Sequence, residues 1–397
     1  MAIDPLVKHA SVDRAPSSPP APRLLFIPVS GTYGMGEYAR SLAIARAASL
    51  RWQHAAIHFI LSREAPYAAS TPFPATLLAS SPTFHSAAVI ESIEAWRPDV
   101  VIFDNAGRTA QLRAAQRAGA RVVYISARPR QRRKAFRWHW MRLIDEHWIA
   151  YPEFIAGSLG FLERFKLGLT GRPVVRYLDV ILSRALPGQR EAVLSRAGCD
   201  AGTFVLVVPG GGTGHPGADH AVEQFMGAAR ALAAGGTPTV YVGPVGTAGL
   251  AGAPSAGAGM DGSSGTHSID AVTPNWHPLG PVPQAELGEL MRSARLIIAN
   301  GGSTLLQAIA CGSACIAAPI AKDQAERTRR CVAAGAAVAT TPDSASMVHA
   351  ANRLLQDDGQ RVVLAGRAAH LALADGVELA LESLTRLLKI APNAAIP

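Results

Sequence analysis

The sequence predicts an α/β protein built from two tandem parallel-sheet units, and three observations carry that prediction. Short apolar runs of strand length alternate with Ala/Leu/Arg-rich segments of helix length. This rhythm runs from residue 23 to about 125 and starts again at Thr203. A glycine-rich turn follows the first strand of each round, at Ser30–Gly36 and at Gly210–Gly217. Strands buried on both faces read as continuous apolar runs, which is the pattern of a parallel sheet covered by helices.

In the first round, Arg23–Val29 reads as a strand and Glu37–Leu50 as a helix. Ala56–Leu61 is a strand, Ala87–Trp96 a helix and Asp99–Phe103 a strand. Ala106–Ala118 is a helix and Arg121–Ile125 a strand. Gly168–Gly202 is less regular. In the second round, strands are expected at Thr203–Val208, Thr237–Val242, Leu296–Ala299 and Ala314–Pro319. Helices are expected at Asp219–Ala233, Glu286–Ser293, Ser303–Cys311 and Gln324–Ala334, with a helical end over Ser344–Ile390. The expected organisation is a disordered tail (1–22), a first unit (23–185), a second unit (186–375) and a C-terminal helix and tail (376–397). The second unit carries a flexible Gly/Ala/Ser/Pro loop over 243–268.

The chain has 397 residues, 49% hydrophobic and 17% charged, enough apolar material for sizeable cores. No apolar run approaches the ~18 residues of a membrane span. The first 22 residues have no apolar core of the signal-peptide kind. Four cysteines, Cys199, Cys311, Cys315 and Cys331, form neither a disulfide framework nor a zinc spacing. A reducing cytoplasmic compartment is the expectation. The net charge of +9 is local. Between Asn105 and Ile144 there are eleven Arg or Lys and no acidic residue, while the remainder carries 27 basic and 29 acidic residues.

The strongest motif is ANGGSTLLQAIACGSACIAAPIAKDQ, from Ala299 to Gln324. A strand ends, a glycine turn follows, and a helix opens on Ser303 and Thr304. Free backbone N–H groups, the helix dipole and two hydroxyls then converge on one point, an anion site. Such a turn can also be a plain connection. The second loop, Lys322-Asp323-Gln324, leaves the next strand at the same carboxyl edge, where open parallel sheets bind ligands.

Gly-Gly-Ser-Thr, then Ala-x-x-Cys-Gly, then Ala-Pro-x-x-x-Asp-Gln resembles the nucleotide-sugar half of GT-B glycosyltransferases. The likeness is to the family 28 (MurG-like) transferases and the related PseG-like UDP-sugar hydrolases. HPLGPVPQAELGEL, from His277, is similar to the segment that places the nucleobase, and PGGGTGHPG, from Pro209, to the loop that opens the C-terminal domain. The likeness covers about Thr203–Val338 well and the N-terminal unit more weakly.

The resemblance implies two Rossmann-like domains facing each other across a cleft, an N-terminal acceptor domain and a C-terminal donor domain. It implies inverting sugar transfer from a UDP-sugar to a lipid-linked, phosphorylated or small-molecule acceptor, with no cofactor and no metal. Gly301, Gly302, Ser303 and Thr304 would bind the diphosphate, and Asp323 and Gln324 the sugar hydroxyls. Gly211, Thr213 and His215 would line the donor side. Gln307 stands where the family has a Glu that accepts both ribose hydroxyls; its amide has one acceptor oxygen and an NH2 donor. Two alternatives remain: a hydrolase with water as acceptor, and a catalytically weak binding protein.

SGTYGMGEYARSLAIA, from Ser30, is similar to the family's Gly-x-Gly-His-x-x-Arg-Ser-Leu-Ala, with Glu37 at the His position. Glu37 is either a general base or a carboxylate held by the helix dipole. Asp104, at a strand end, is either a second base or a helix cap. Tyr33 and Arg40 would face the acceptor. His215 and His220 lack the acidic partner a metal site needs.

Arg128–Arg142 reads RPRQRRKAFRWHWMR and is expected as a loop at the cleft edge. Arg130, Arg132, Arg133, Lys134, Trp138 and Trp140 are the candidates for contact with an anionic membrane or a phosphorylated acceptor. A solvated loop over packed aromatics is the plain alternative. Nucleic acid is disfavoured, because no nucleic-acid-binding motif accompanies the charge.

Overall fold

Strand β1 (Arg23–Pro28) presents five successive buried residues after Arg23, and its neighbour β4 is buried throughout, as parallel strands covered on both faces must be. The computed structural model describes residues 21–32, 35–210, 218–244 and 274–389. After β1 come α1 (Gly36–Arg51), β2 (Ala56–Ser62), β3 (Ala75–Leu78), α2 (Ser86–Trp96) and β4 (Val100–Asp104). Then follow α3 (Thr109–Arg117), β5 (Arg121–Ser126), α4 (Pro129–Ala135), α5 (Trp138–Met141) and β6 (Glu146–Ile149). The unit ends with α6 (Glu153–Ala156), α7 (Phe161–Thr170) and β7 (Val174–Tyr177). All seven strands are parallel, in the order β3-β2-β1-β4-β5-β6-β7.

The second unit opens with α8 (Gln189–Ala197) and β8 (Val205–Val208), then α9 (Ala218–Ala234), β9 (Thr239–Tyr241) and β10 (Trp276–Pro278). It continues through α10 (Gln284–Ser293), β11 (Leu296–Ala299), α11 (Ser303–Ala310), β12 (Cys315–Ala317), α12 (Lys322–Ala333) and β13 (Val338–Ala339). Three helices close the described chain: α13 (Ser344–Gln356), α14 (Asp358–His370) and α15 (Gly376–Leu387). The six parallel strands run β10-β9-β8-β11-β12-β13, so both sheets reverse direction beside their first strand. In each, the first and fourth strands of the unit are neighbours, and the crevice at their carboxyl ends is where ligands bind in such sheets.

The chain crosses between units twice at one place. Leu178 belongs to the first core and Val180 to the second. On the return, Ala374 N–H donates to Asp179 Oδ2 (3.0 Å) and Gly376 N–H to the Val180 carbonyl (2.8 Å). Gly376 has to be glycine, because a Cβ there would lie within 3.0 Å of Ile181 and run into the Leu178 carbonyl. Helix α15 then packs in the first core through Val377, Ala380, Leu381 and Leu384. Its Ser383 hydroxyl donates to buried Glu146 on β6, which also accepts from Trp148 Nε1 (2.8 Å) and Arg176 Nε (3.0 Å).

Three expectations change here. The basic stretch is not a loop but two helices, α4 and α5. Strands β3, β6 and β7 of the first sheet, and β10 and β13 of the second, lie where the sequence placed no strand. The helical end is three helices, each opened by an aspartate N-cap: Asp343, Asp357 and Asp375. The tail residues 1–20, and 245–268 of the glycine-rich loop, lie outside the described residues.

Candidate functional site

In the second unit the crevice lies between β8 and β11. Asn300, at the end of β11, is buried and works in two directions. Its Nδ2 donates to the Pro209 carbonyl after β8 (2.7 Å), and its Oδ1 accepts from Gly302 N–H (3.0 Å). The turn is thereby fixed against both strand ends. Gly302 is the N-cap of α11 and supplies no side-chain cap, so the first-turn amides of α11 have no acceptor from that residue. Ser303 is exposed at this end and Thr304 is buried. Gly301 has no room for a side chain: a Cβ would lie 2.8 Å from the Gln324 carbonyl and closer still to the Thr328 hydroxyl. The result is a turn of bare amides and one hydroxyl with a positive helix end behind it, the construction that binds a phosphate.

Helix α12 is packed against that turn. Asp323 is exposed at its start, 3.6 Å from Arg327. Gln324 turns inward, where its Oε1 accepts from Ile320 N–H (3.0 Å). Arg327 is buried; its Nη1 donates to the Gly301 carbonyl (2.7 Å), and the guanidinium carbon lies 4.8 Å from the centre of the Tyr151 ring. One turn on, Arg330 donates to the Ile155 carbonyl (2.7 Å). Tyr151 and Ile155 leave the carboxyl end of β6, so the carboxyl edges of the two sheets meet at α12. Gln307 uses Nε2 twice, to the Ile181 carbonyl (3.0 Å) and to Gln284 Oε1 (2.9 Å), which leaves its carbonyl oxygen as the group able to meet a diol.

In the first unit the crevice between β1 and β4 is filled by charge. Arg40 on α1 grips Asp104 at the end of β4 with two hydrogen bonds, Nε to Oδ2 (2.8 Å) and Nη2 to Oδ1 (2.6 Å). Ser41 lies 3.5 Å from Oδ2. Asp104 is wholly buried. Burial pushes its carboxyl up to about 6, against the pull of Arg40. Both oxygens are occupied and no solvent reaches them, so Asp104 stands as the internal counter-ion of Arg40, not as a base open to an acceptor. Arg40 likewise does not reach an acceptor or a membrane; it is buried.

Glu37, in the first turn of α1, is the carboxylate on the open side. Its Oε1 accepts from Asn105 Nδ2 (2.8 Å), with Arg128 3.7 Å away. Asn105 is the residue the sequence reading missed. It sits just past β4 with φ +52°, in the left-handed region that Asn tolerates, and is buried. Its Oδ1 accepts from Ala127 N–H (2.8 Å), which holds the amide so that Nδ2 points at Glu37. An Asn at a strand end was the available signal, but it reads equally as a turn residue.

The basic stretch divides. Arg132 is a structural residue: it forms a bidentate pair with Glu163 (3.0 and 2.6 Å) and donates to the carbonyls of Ala156, Gly157 and Ser158. Lys134 donates to the Gly107 carbonyl (2.8 Å) and lies 4.1 Å from the centre of the Trp140 ring, and burial brings its ammonium down to about 8. Trp140 is core, with its indole N–H on Thr109 (3.0 Å). These three are corrected from surface contacts to internal supports. Arg130, Arg133 and Trp138 are exposed. Tyr33, Gly211, Thr213 and His215 lie outside the described residues.

No family model matches the chain, and no curated protein matches it by sequence. Solved structures do match over nearly the whole chain. The calicheamicin glycosyltransferase CalG4 is 16% identical, with 94% of this chain and 100% of that one covered at a TM-score of 0.59. MurG of Acinetobacter baumannii is 12% identical, with 92% and 99% covered at 0.56. A protein assigned as a UDP-N-acetylglucosamine 2-epimerase, from Listeria monocytogenes, is 13% identical, with 94% and 99% covered at 0.53. At these identities the likeness is one of fold: the chain has the two-domain GT-B architecture.

Proposed function

We propose that this protein transfers a sugar from a nucleoside-diphosphate donor, UDP-linked, to an acceptor hydroxyl with inversion at the sugar carbon. The observation that carries the reading is the pairing of two unlike crevices whose sheet edges meet at α12. One offers bare amides and a helix N-terminus; the other offers a single accessible carboxylate, Glu37. The first suits a diphosphate and the second suits a hydroxyl proton.

The diphosphate lies on Gly301, Gly302, Ser303 and Thr304, and Asp323 and Gln324 take the sugar hydroxyls. Gln307, held by Ile181 and Gln284, turns its carbonyl to the ribose. Gly211, Thr213 and His215 are assigned to the donor as their sequence motif implies. Glu37 removes the acceptor proton as the acceptor oxygen attacks the anomeric carbon from the face opposite the diphosphate. The new carbon–oxygen bond forms as the bond to the β-phosphate oxygen breaks. The electron pair leaves on the diphosphate, where the α11 amides stabilise it. The transferred sugar is a hexose or an N-acetylhexosamine. Exposed Arg130, Arg133 and Trp138 favour a phosphorylated or lipid-linked acceptor on the first unit.

A thermal-shift panel of nucleotide sugars tests the donor half. A ligand that binds only the folded chain adds about 2.7 kcal/mol of stability at a hundred times its Kd. A rise with UDP-sugars, and none with the free sugars, supports the reading; no rise with any nucleotide sugar overturns it. Full-rate UDP release without acceptor makes the protein a hydrolase instead.

A further inference from the structure

Helix α7 is built inside out. At 100° per residue, Phe161, Leu162, Phe165 and Leu169 fall within an arc of about 100°. These four side chains are between 53% and 75% exposed. The inward side carries the polar contacts: Glu163 with Arg132, Lys166 Nζ with the Phe136 carbonyl (3.0 Å), and Thr170 Oγ1 with the Arg172 carbonyl (2.6 Å). A helix on a water-facing surface shows the reverse arrangement. The Phe161 and Phe165 rings lie parallel at 6.4 Å, so the outer face is continuous. Half-exposed Trp138 of α5 joins it, with Lys166 Nζ 5.5 Å from the ring centre.

Cations border this face. Arg164 lies on one side of the arc and Lys166 on the other. Through the Arg132–Glu163 pair, α7 adjoins α4 and α5, whose Arg130, Arg133 and Arg137 are exposed. Between residues 105 and 144 there is no acidic side chain to offset them.

We propose that α7 and the exposed side of α4–α5 dock on an anionic lipid bilayer. The helix lies in the plane of the interface, its four apolar side chains enter the acyl boundary, and Arg130, Arg133, Arg137 and Arg164 meet the headgroups. A second copy of the chain is disfavoured by charge. A two-fold contact through α7 sets the cations bordering the arc against their own images. Arg130, Arg133 and Trp138 are shared with the acceptor reading above, but vesicle binding is measured without any sugar transfer, so the two readings fail separately.

Vesicle co-sedimentation tests it, with phosphatidylcholine alone and with phosphatidylcholine mixed with phosphatidylglycerol. The full chain is expected to sediment with the mixed vesicles, less so as salt is raised, and poorly with the neutral ones. The double variant Phe161→Ser/Phe165→Ser should lower the bound-to-free ratio at least tenfold. Leu50→Ser/Phe84→Ser, which removes two exposed apolar groups elsewhere, should leave it unchanged. Unchanged thermal midpoints show that both variants fold. Three results overturn the proposal: wild-type protein free of mixed vesicles, the Phe variant bound as well as wild type, or a lipid-free dimer that the Phe variant dissolves.

Discussion

At the crevice of the first sheet, between β1 and β4, the chain places Arg40, Asp104, Glu37 and Asn105; at that of the second, between β8 and β11, it places Asn300, two glycines and the bare amides of α11. Around each crevice the strands are ordered alike, third-second-first-fourth-fifth-sixth of the unit, so strand order alone decides neither. A charged crevice needs internal partners, because an unpaired buried charge costs several kcal/mol, and Arg40 and Asp104 supply them to each other. A crevice lined by amides can stay vacant toward solvent and hold its charge-binding power for a ligand. The wider cores follow suit. The first unit buries Arg40, Asp104, Glu146 and His147, whereas the buried polar groups around the second crevice are mostly neutral, Asn300, Thr304, Gln307, Gln324 and Thr328 among them.

The largest effect should come from removing Glu37, the carboxylate on the open side of the first crevice. Glu37→Gln keeps the size of the side chain and an oxygen to accept from Asn105, but takes no proton. Turnover should fall by ~10²–10⁴, the usual loss for a general base, with donor Kd unchanged by calorimetry. A fall of less than tenfold makes Glu37 a dipole-held carboxylate, and then the contrast between the two crevices has no chemical meaning. Gly301→Ala tests the other side. Its Cβ meets the Gln324 carbonyl and the Thr328 hydroxyl, so α12 or the turn must shift. Donor affinity should drop at least tenfold, with a stability loss of roughly 1–3 kcal/mol from overpacking. An unchanged Kd would place the diphosphate elsewhere.

The sequence shows the sheets wherever a strand is an unbroken apolar run, as in β1, β4, β5, β8 and β11. It hides β6, EHWI, because its first two residues are Glu146 and His147, which are buried, Glu146 being satisfied by residues as distant as Ser383. The donor turn is legible because its chemistry is local: glycine, glycine, serine at the head of a helix. The Arg40–Asp104 pair spans 64 positions and has no local signature. Arg132, Lys134 and Trp140 sit in a stretch that reads as surface, yet their partners Glu163, Gly107 and Thr109 lie more than twenty residues away. Helix α7 inverts the usual rule that apolar faces turn inward, so its outer stripe is visible only once its neighbours are placed.

The buried titratable groups of the first unit also predict a response to acid. His147 is held at about 3 by burial and by nearby Arg132. The unfolded chain takes up a proton at 6.5 that the folded chain refuses until about 3. The stability due to neutral His147 is therefore complete above 6.5 and is lost as pH falls through that window, by up to ~1.4 kcal/mol per pH unit. Asp104, raised by burial to about 6, takes up a proton on folding within the same window and offsets this slope. The His147 part is therefore read as a difference: wild type should lose thermal stability relative to His147→Gln as pH falls from 6.5 toward 4.5. An unaltered slope would move the acid-sensitive group out of β6.

The smallest effect is the most selective test of how Glu37 is held. Asn105→Asp keeps a residue that tolerates the left-handed backbone and still accepts from Ala127 N–H. It replaces the NH2 that donates to Glu37 by a second carboxylate oxygen at the same place, 2.8 Å from Oε1 in the present geometry. Two carboxylates at that distance resist joint ionisation, so Glu37 should hold its proton to higher pH. The acid limb of the pH–rate profile should move toward higher pH, with turnover near wild type on the alkaline side and donor affinity unchanged. Asn105→Gly, which relieves the backbone but removes both hydrogen bonds, should instead lower turnover at every pH without moving the limb upward. A supporting role confined to the turn after β4 predicts the same result for both substitutions, a loss of stability with the profile in place. The separation of the two profiles therefore decides whether Asn105 acts through the carboxylate or only through the fold.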